Sequence, residues 1–160
     1  MTGIPDKPVE LLLVCSPGGH LLQLVSLRDV WAAYDRAWVT LDKSDVRSLL
    51  AGERVVLAYG PTNRSLKNLL RNLLLSVRVL RRLQPRAIVT TGAGVAVPFA
   101  WIGRLQGARV VYLESLTRID SPSLSCRLIA PAAERIYVQW PELAGRYTGL
   151  RYAGSLFDKS

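Results

Sequence analysis

Two hydrophobic rhythms alternate along the chain. Residues 9–15 (VELLLVC) are an almost unbroken apolar run ending at Ser-Pro-Gly-Gly-His, the pattern of a strand buried on both faces that runs into a tight turn. Between 21 and 33 the apolar residues Leu21, Leu24, Val25, Leu27, Val30 and Trp31 recur at helical spacing. A second strand is predicted at 36–41 (RAWVTL), then a helix at 45–50 capped by Asp42 or Ser44 and closed by Gly52. A third strand at 54–58 (RVVLA) leads into a Gly-Pro-Thr-Asn loop at 60–63. The longest helix covers 65–83 and stops before Pro85. The second half repeats the alternation: strands at 86–90, 108–114, 135–139 and 151–153, and helices at 95–106, 122–130 and 141–147. Pro98 falls in the first turn of the 95–106 helix, where a missing N–H costs nothing, and Gly107 terminates it.

Short strands alternating with helices predict one domain over residues 1–160. Its fold class is α/β, a Rossmann-like, mostly parallel sheet of about seven strands with helices on both faces. Ligands of such sheets collect beyond the carboxyl ends of the strands, where the strand order reverses. The loops after the first, fourth and fifth strands are therefore the expected place for chemistry.

Composition narrows the classes. Hydrophobic residues make up 49% and charged residues 21%, which suits an ordered domain. No apolar run reaches the ~20 residues needed to span a bilayer, and the early run resembles neither a signal peptide nor an anchor. A cytoplasmic protein is expected. Cys15 and Cys126 are far apart with no CxxC partner, and read as small buried residues. No paired carboxylates, metal-spaced His/Cys set, DxD or GxSxG string is present, so no metal and no cofactor is expected.

Lys and Arg number 21 against 12 Asp and Glu, a net charge of +9, which requires an anionic partner. The distribution of that charge discriminates among partners. Over residues 64–82 (RSLKNLLRNLLLSVRVLRR), Arg64, Lys67, Arg71, Arg78 and Arg82 gather on one side of a helix. Leu66, Leu69, Leu70, Leu73, Leu74, Val77 and Leu80 form a broad apolar sector. Packing on a sheet uses only part of that sector. Leucines beside a basic stripe suit an anionic membrane surface, where each cation contributes about 1 kcal/mol. An ordinary α/β helix with a solvated cationic face is the plainer alternative. Nucleic acid is disfavoured because no aromatic residues interleave with the cations.

The loop after the first strand, residues 16–20, offers Ser16 and the backbone of Gly18 and Gly19 to an oxyanion at a helix start. It is neither a dinucleotide fingerprint nor a Walker loop, and a Gly-Gly pair also serves simple turn geometry. His20, the only histidine, has the ordinary pKa for proton transfer near neutrality. The loop after the fourth strand supplies Thr91, Gly92 and Gly94, a second small-residue turn facing the same crevice. The third, residues 114–118, places Glu114 at a strand end, with Ser115 and Arg118 following. Glu114 is a candidate base or sugar-hydroxyl acceptor and Arg118 a phosphate contact, unless the two pair together or cap the next helix.

Four strings carry a resemblance: SPGGHLLQL at 16–24, TTGAGVAVPF at 90–99, YLESLTR at 112–118 and YVQWPEL at 137–143. Together they resemble the acceptor-binding, membrane-associated subunit of the two-part UDP-N-acetylglucosamine transferase of lipid-linked oligosaccharide synthesis, and its bacterial exopolysaccharide and capsule counterparts. The glycine loops are similar to those of the wider MurG-like GT-B group. The resemblance implies the N-terminal half of a GT-B, inverting, metal-independent glycosyltransferase. That half holds a lipid-diphosphate-linked saccharide while a separate donor-binding subunit brings the UDP-sugar. By motif match it places His20, Glu114, Gly92 and Gly94 at the family's site; taken with the loops read above, His20 or Glu114 is the catalytic candidate, and Ser16, Gly18, Gly19, Thr91, Gly92, Gly94, Ser115 and Arg118 are candidates for the acceptor and its diphosphate. Residues 1–8 are short and polar, so attachment to the inner face of the plasma membrane is expected to be peripheral. The alternative from another class is a non-catalytic membrane recruiter or enhancer of a complete glycosyltransferase.

Overall fold

Leu11–Val14 (β1) occupies the middle of the sheet, and all four of its side chains are buried, as its unbroken apolar sequence requires. A computed structural model of the chain describes residues 3–62 and 65–156. Around β1 stand Arg36–Leu41 (β2), Val55–Ala58 (β3), Ala87–Thr90 (β4), Arg109–Leu113 (β5), Arg135–Val138 (β6) and Leu150–Tyr152 (β7). The order is β3-β2-β1-β4-β5-β6-β7, parallel throughout. The chain runs outward one way from β1 to β3, crosses back to β4, and runs outward the other way. The order thus reverses between β1 and β4, which are paired from Leu11↔Ala87 to Val14↔Thr90.

Right-handed crossovers then dictate which face each helix covers. Gly19–Val25 (α1), Arg28–Trp31 (α2) and Ser44–Leu49 (α3) share one core with Leu11, Leu13, Cys15 and Trp38. Leu66–Leu83 (α4), Ala96–Leu105 (α5) and Leu124–Ile129 (α6) share the other with Leu12, Val14, Ile88, Val110 and Tyr112. Pro141–Arg146 (α7) lies beside β6 and β7. The two cysteines are buried, one in each core, and burial pushes both thiols up to about 12.

Two local expectations are corrected. The helix read over 21–33 is two helices, because the Trp31 indole donates to the Leu24 carbonyl at 2.8 Å and the Ser26 hydroxyl to that of Gln23 at 2.8 Å. Those bonds satisfy α1's last carbonyls and let the chain turn at Leu27. At α3 the N-cap is Lys43, which makes no side-chain capping bond. Asp42 is held by Arg47 at 3.0 Å, and Asp45 accepts from the Gly18 amide. Ser65 caps α4 by accepting from the Asn68 amide at 3.3 Å, and Gln84 ends it in the left-handed region before Pro85.

Candidate functional site

The loops after β1, β4 and β5 meet at α1. Thr91, fully buried, donates its hydroxyl to the His20 carbonyl at 2.9 Å, which puts both glycine turns on one rim of the sheet. From the next turn of α1, the buried Gln23 donates Nε2 to the Glu114 carbonyl at 2.8 Å, tying the same helix to the end of β5. Three loops far apart in sequence are thus fastened to the first two turns of one short helix.

The glycines themselves serve the fold. Gly18 has φ 79° and ψ −136°, a conformation open to glycine, and its N–H donates to Asp45 Oδ2 at 2.7 Å. Gly92 has φ 100°, its N–H donates to Thr90 Oγ1 at 2.9 Å, and a Cβ there would stand 2.5 Å from the Tyr112 hydroxyl. A Cβ on Gly94 would meet that of Thr62 at 3.2 Å. The Gly18 and Gly92 amides, expected to converge on an anion, are therefore engaged inside the protein. Turn geometry and close approach account for the residue type at Gly18, Gly92 and Gly94. Gly19 is exposed at the start of α1.

Beyond this rim lies a cleft of ≈ 720 Å³. Ser16 and His20 line it from the β1 turn, Asp42 and Lys43 from the end of β2, Thr62 from the loop after β3, and Ala93 from the β4 turn. The imidazole is half-buried, and its Nδ1 is enclosed without a hydrogen-bond partner. Burial holds the His20 pKa below its ordinary value of 6.5; the Thr91 backbone and the Glu114 charge work against that lowering, and the Arg118 cation adds to it. The ring is consequently neutral near pH 7, with lone-pair capacity to accept a proton.

Glu114 stands in contrast. It is fully buried, and its carboxylate accepts the Ser115 and Ser123 amides at 2.8 Å each and the Tyr112 hydroxyl at 3.3 Å. Ser123 is the N-cap of α6, so Glu114 supports the start of that helix and does not pair with Arg118. With both oxygens accepting internal donors, Glu114 anchors the loop after β5 to the start of α6. Burial, and after it the Glu114 charge, raise the Tyr112 pKa. Ser115 Oγ is in a local turn, 3.0 Å from Thr117 Oγ1. Arg118 is exposed, without a side-chain ion pair among the described residues.

Along α4 the apolar sector points outward. Leu66, Leu70 and Leu74 are 70%, 54% and 61% exposed, while Asn68, Asn72 and Ser76 are buried. Asn72 grips the backbone of Tyr59, accepting from its N–H at 2.8 Å and donating to its carbonyl at 2.9 Å, and Asn68 donates to the Pro61 carbonyl at 2.8 Å. Lys67, Arg71, Arg78 and Arg82 are exposed next to the leucines; Arg71 stacks 5.2 Å over the Tyr59 ring and Arg82 pairs with Asp6. Arg64 lies outside the described residues. No helix among the described residues is long and apolar enough to cross a membrane.

Lys43 and Thr62 escaped the reading of the sequence, which looked only past the first, fourth and fifth strands. The ends of β2 and β3 lie on the same rim, and the parallel alternation already implied it.

The description "Oligosaccharide biosynthesis protein Alg14 like" matches residues 54–156. Among relatives, the UDP-N-acetylglucosamine transferase subunit ALG14 of Candida albicans is 33% identical over 92% of this chain and 78% of its own. The protein of the same name from Eremothecium gossypii is 44% identical over 45% of this chain, a stretch spanning 35% of that protein. Among solved structures, Acinetobacter baumannii MurG superposes with a TM-score of 0.70 at 15% identity, over 89% of this chain and 45% of the MurG chain. A UDP-N-acetylglucosamine 2-epimerase from Rickettsia bellii gives 0.68 at 10% identity, over 91% and 44%. These likenesses show the Rossmann-like fold, matched over less than half of each of those chains. With its match over residues 54–156 and 33% identity to the Candida protein over 92% of its length, the chain belongs to the Alg14-like family of oligosaccharide biosynthesis proteins.

Proposed function

We propose that the chain is the acceptor-binding subunit of an inverting glycosyltransferase. Together with a separate donor-binding subunit, it transfers a sugar from a UDP-sugar to a lipid-diphosphate-linked saccharide. The supporting observation is the His20 imidazole, held neutral on a cleft where the strand order reverses. His20 takes the proton of the attacking acceptor hydroxyl. The oxygen forms the new bond at the anomeric carbon, and UDP departs with the electron pair of the broken bond. Thr91 and Gln23 hold α1, and with it His20, in position. The names of the relatives, subunits of a UDP-N-acetylglucosamine transferase, favour UDP-N-acetylglucosamine as the donor.

The exposed leucines of α4 and their flanking cations rest, in this reading, on an anionic membrane surface that presents lipid-linked acceptors to the cleft. Reconstitution with the donor subunit and a panel of UDP-sugars tests the activity. His20→Ala is expected to lower turnover about 10²–10⁴-fold with the melting temperature unchanged. Normal turnover by that variant refutes the base assignment and leaves the recruiter reading in its place. Co-sedimentation with vesicles containing acidic lipid tests the surface: Leu70→Glu with Leu74→Glu is expected to release the protein, and unchanged binding removes α4 from the interface.

A further inference from the structure

The engaged amides of Gly18 and Gly92 leave a chemical question at the cleft: what meets the negative charge of a diphosphate there. Two acids flank Lys43 closely in sequence, and neither is free to neutralise it. Asp42 is bound through both oxygens by Arg47, at 3.0 Å each, and Asp45 accepts the Gly18 N–H at 2.7 Å. Lys43 lines the cleft together with His20, and its ammonium makes no ion pair or hydrogen bond among the described residues. Arg118, the cation that helps to lower the His20 pKa, approaches from the β5 side. With the Asp45 carboxylate at the mouth of the first glycine turn, an incoming phosphate is repelled there and drawn toward the lysine.

We propose that Lys43 is the diphosphate-binding side chain of this cleft. This rests on the reading of the cleft as a glycosyl-transfer site. Both the lipid-linked acceptor and the UDP-sugar carry a diphosphate, and the chemistry that recognises them is the same. An ammonium is a compact point charge that suits a phosphate oxygen whichever direction it comes from.

The test is Lys43→Gln in the complex with the donor subunit, with Lys43→Arg as the conservative control. Loss of a charge-assisted contact is expected to raise one KM about tenfold to a hundredfold, with kcat within about twofold. Lys43→Arg is expected to keep most of the affinity. A raised acceptor KM assigns the lysine to the lipid diphosphate, and a raised donor KM assigns it to the nucleotide. Unchanged KM values for both, or a fall in kcat alone, overturn the proposal. In parallel, inorganic pyrophosphate is titrated onto the chain by calorimetry, wild type against Lys43→Gln. Weaker binding by the variant supports the site; equal binding, or none by either protein, overturns it. Should the wild-type complex transfer no sugar, the functional reading fails by itself, and the pyrophosphate titration still decides the lysine.

Discussion

Along the carboxyl rim of the sheet the loop after β1 presents His20 and the loop after β5 presents Glu114, and the fold treats the two in opposite ways. Near β1 the imidazole is half-enclosed, with an unpartnered Nδ1 and a cleft beside it. Near β5 the carboxylate is enclosed completely and saturated by two amides and a phenol. Both belong to the same array of loops, since Gln23 ties α1 to the end of β5 and Thr91 ties it to the turn after β4. What separates them is hydrogen-bond satisfaction. A group whose capacity is filled by the protein holds a loop in place, whereas a half-buried ring that borders a cleft can meet a substrate through its exposed edge, its buried Nδ1 being turned inward.

The comparison is broken most directly by removing the saturated group. Glu114→Ala leaves the Ser115 and Ser123 amides and the Tyr112 hydroxyl without their acceptor, with a destabilisation of about 3 kcal/mol expected in urea unfolding. His20→Ala under the same conditions is expected to cost less than about 1 kcal/mol, because the enclosed Nδ1 has no hydrogen bond to lose. Equal stability losses would erase the distinction between anchor and reagent. A smaller effect comes from the glycine above Tyr112. Gly92→Ala sets a methyl 2.5 Å from the phenolic oxygen and strains a backbone at φ 100°, for a cost of about 1–3 kcal/mol. In a Tyr112→Phe background the steric part is expected to shrink, leaving the backbone part; purely additive costs would mean that the ring and the turn do not press on each other.

Much of the fold was legible because strand and helix periods are local properties. The run at 9–15 gave the central strand, and every one of the seven strands fell where its apolar pattern put it. The break between α1 and α2 was not, since it depends on where the Trp31 indole reaches in three dimensions. The same limit governed the site. Gly18, Gly92 and Gly94 were readable as turns, but the directions of their amides depend on Asp45 from α3 and Thr90, and their need for glycine on Tyr112 from β5 and Thr62 from the loop after β3. The burial of Glu114 likewise comes from the loop before α6 closing over it. In α4 the leucines drew attention, yet the sector that packs inward at this end was marked by a quieter signal. Asn68, Asn72 and Ser76, four residues apart, continue into Val79 and Leu83 on the buried side. Those amides grip the loop at Tyr59 and Pro61, so the first half of the helix is fixed by polar contacts with Leu66, Leu70 and Leu74 outside, while Val79, Leu80 and Leu83 of its second half pack into the core.

The smallest expected effect is a titration that separates the two loops without touching the Glu114 network. Burial lowers the His20 pKa in the folded protein below the 6.5 of the free group, and the charges facing the ring, Glu114 and Arg118, oppose each other. Between the lowered value and 6.5 the unfolded chain binds more protons than the folded one, so stability rises with pH across that window. His20 therefore contributes its full share above 6.5. That share falls away as the pH drops through the folded value, because protonation there means placing a cation in the enclosed position. His20→Gln cannot titrate and lacks this term, while all carboxylates stay common to both proteins. The informative quantity is the difference in unfolding free energy between wild type and variant at a series of pH values from 5 to 8. A difference that moves against the wild type on acidification supports an imidazole kept neutral by the fold. Parallel curves would mean that the ring is solvated like any surface histidine, and the contrast between the two loops would then rest on Glu114 alone.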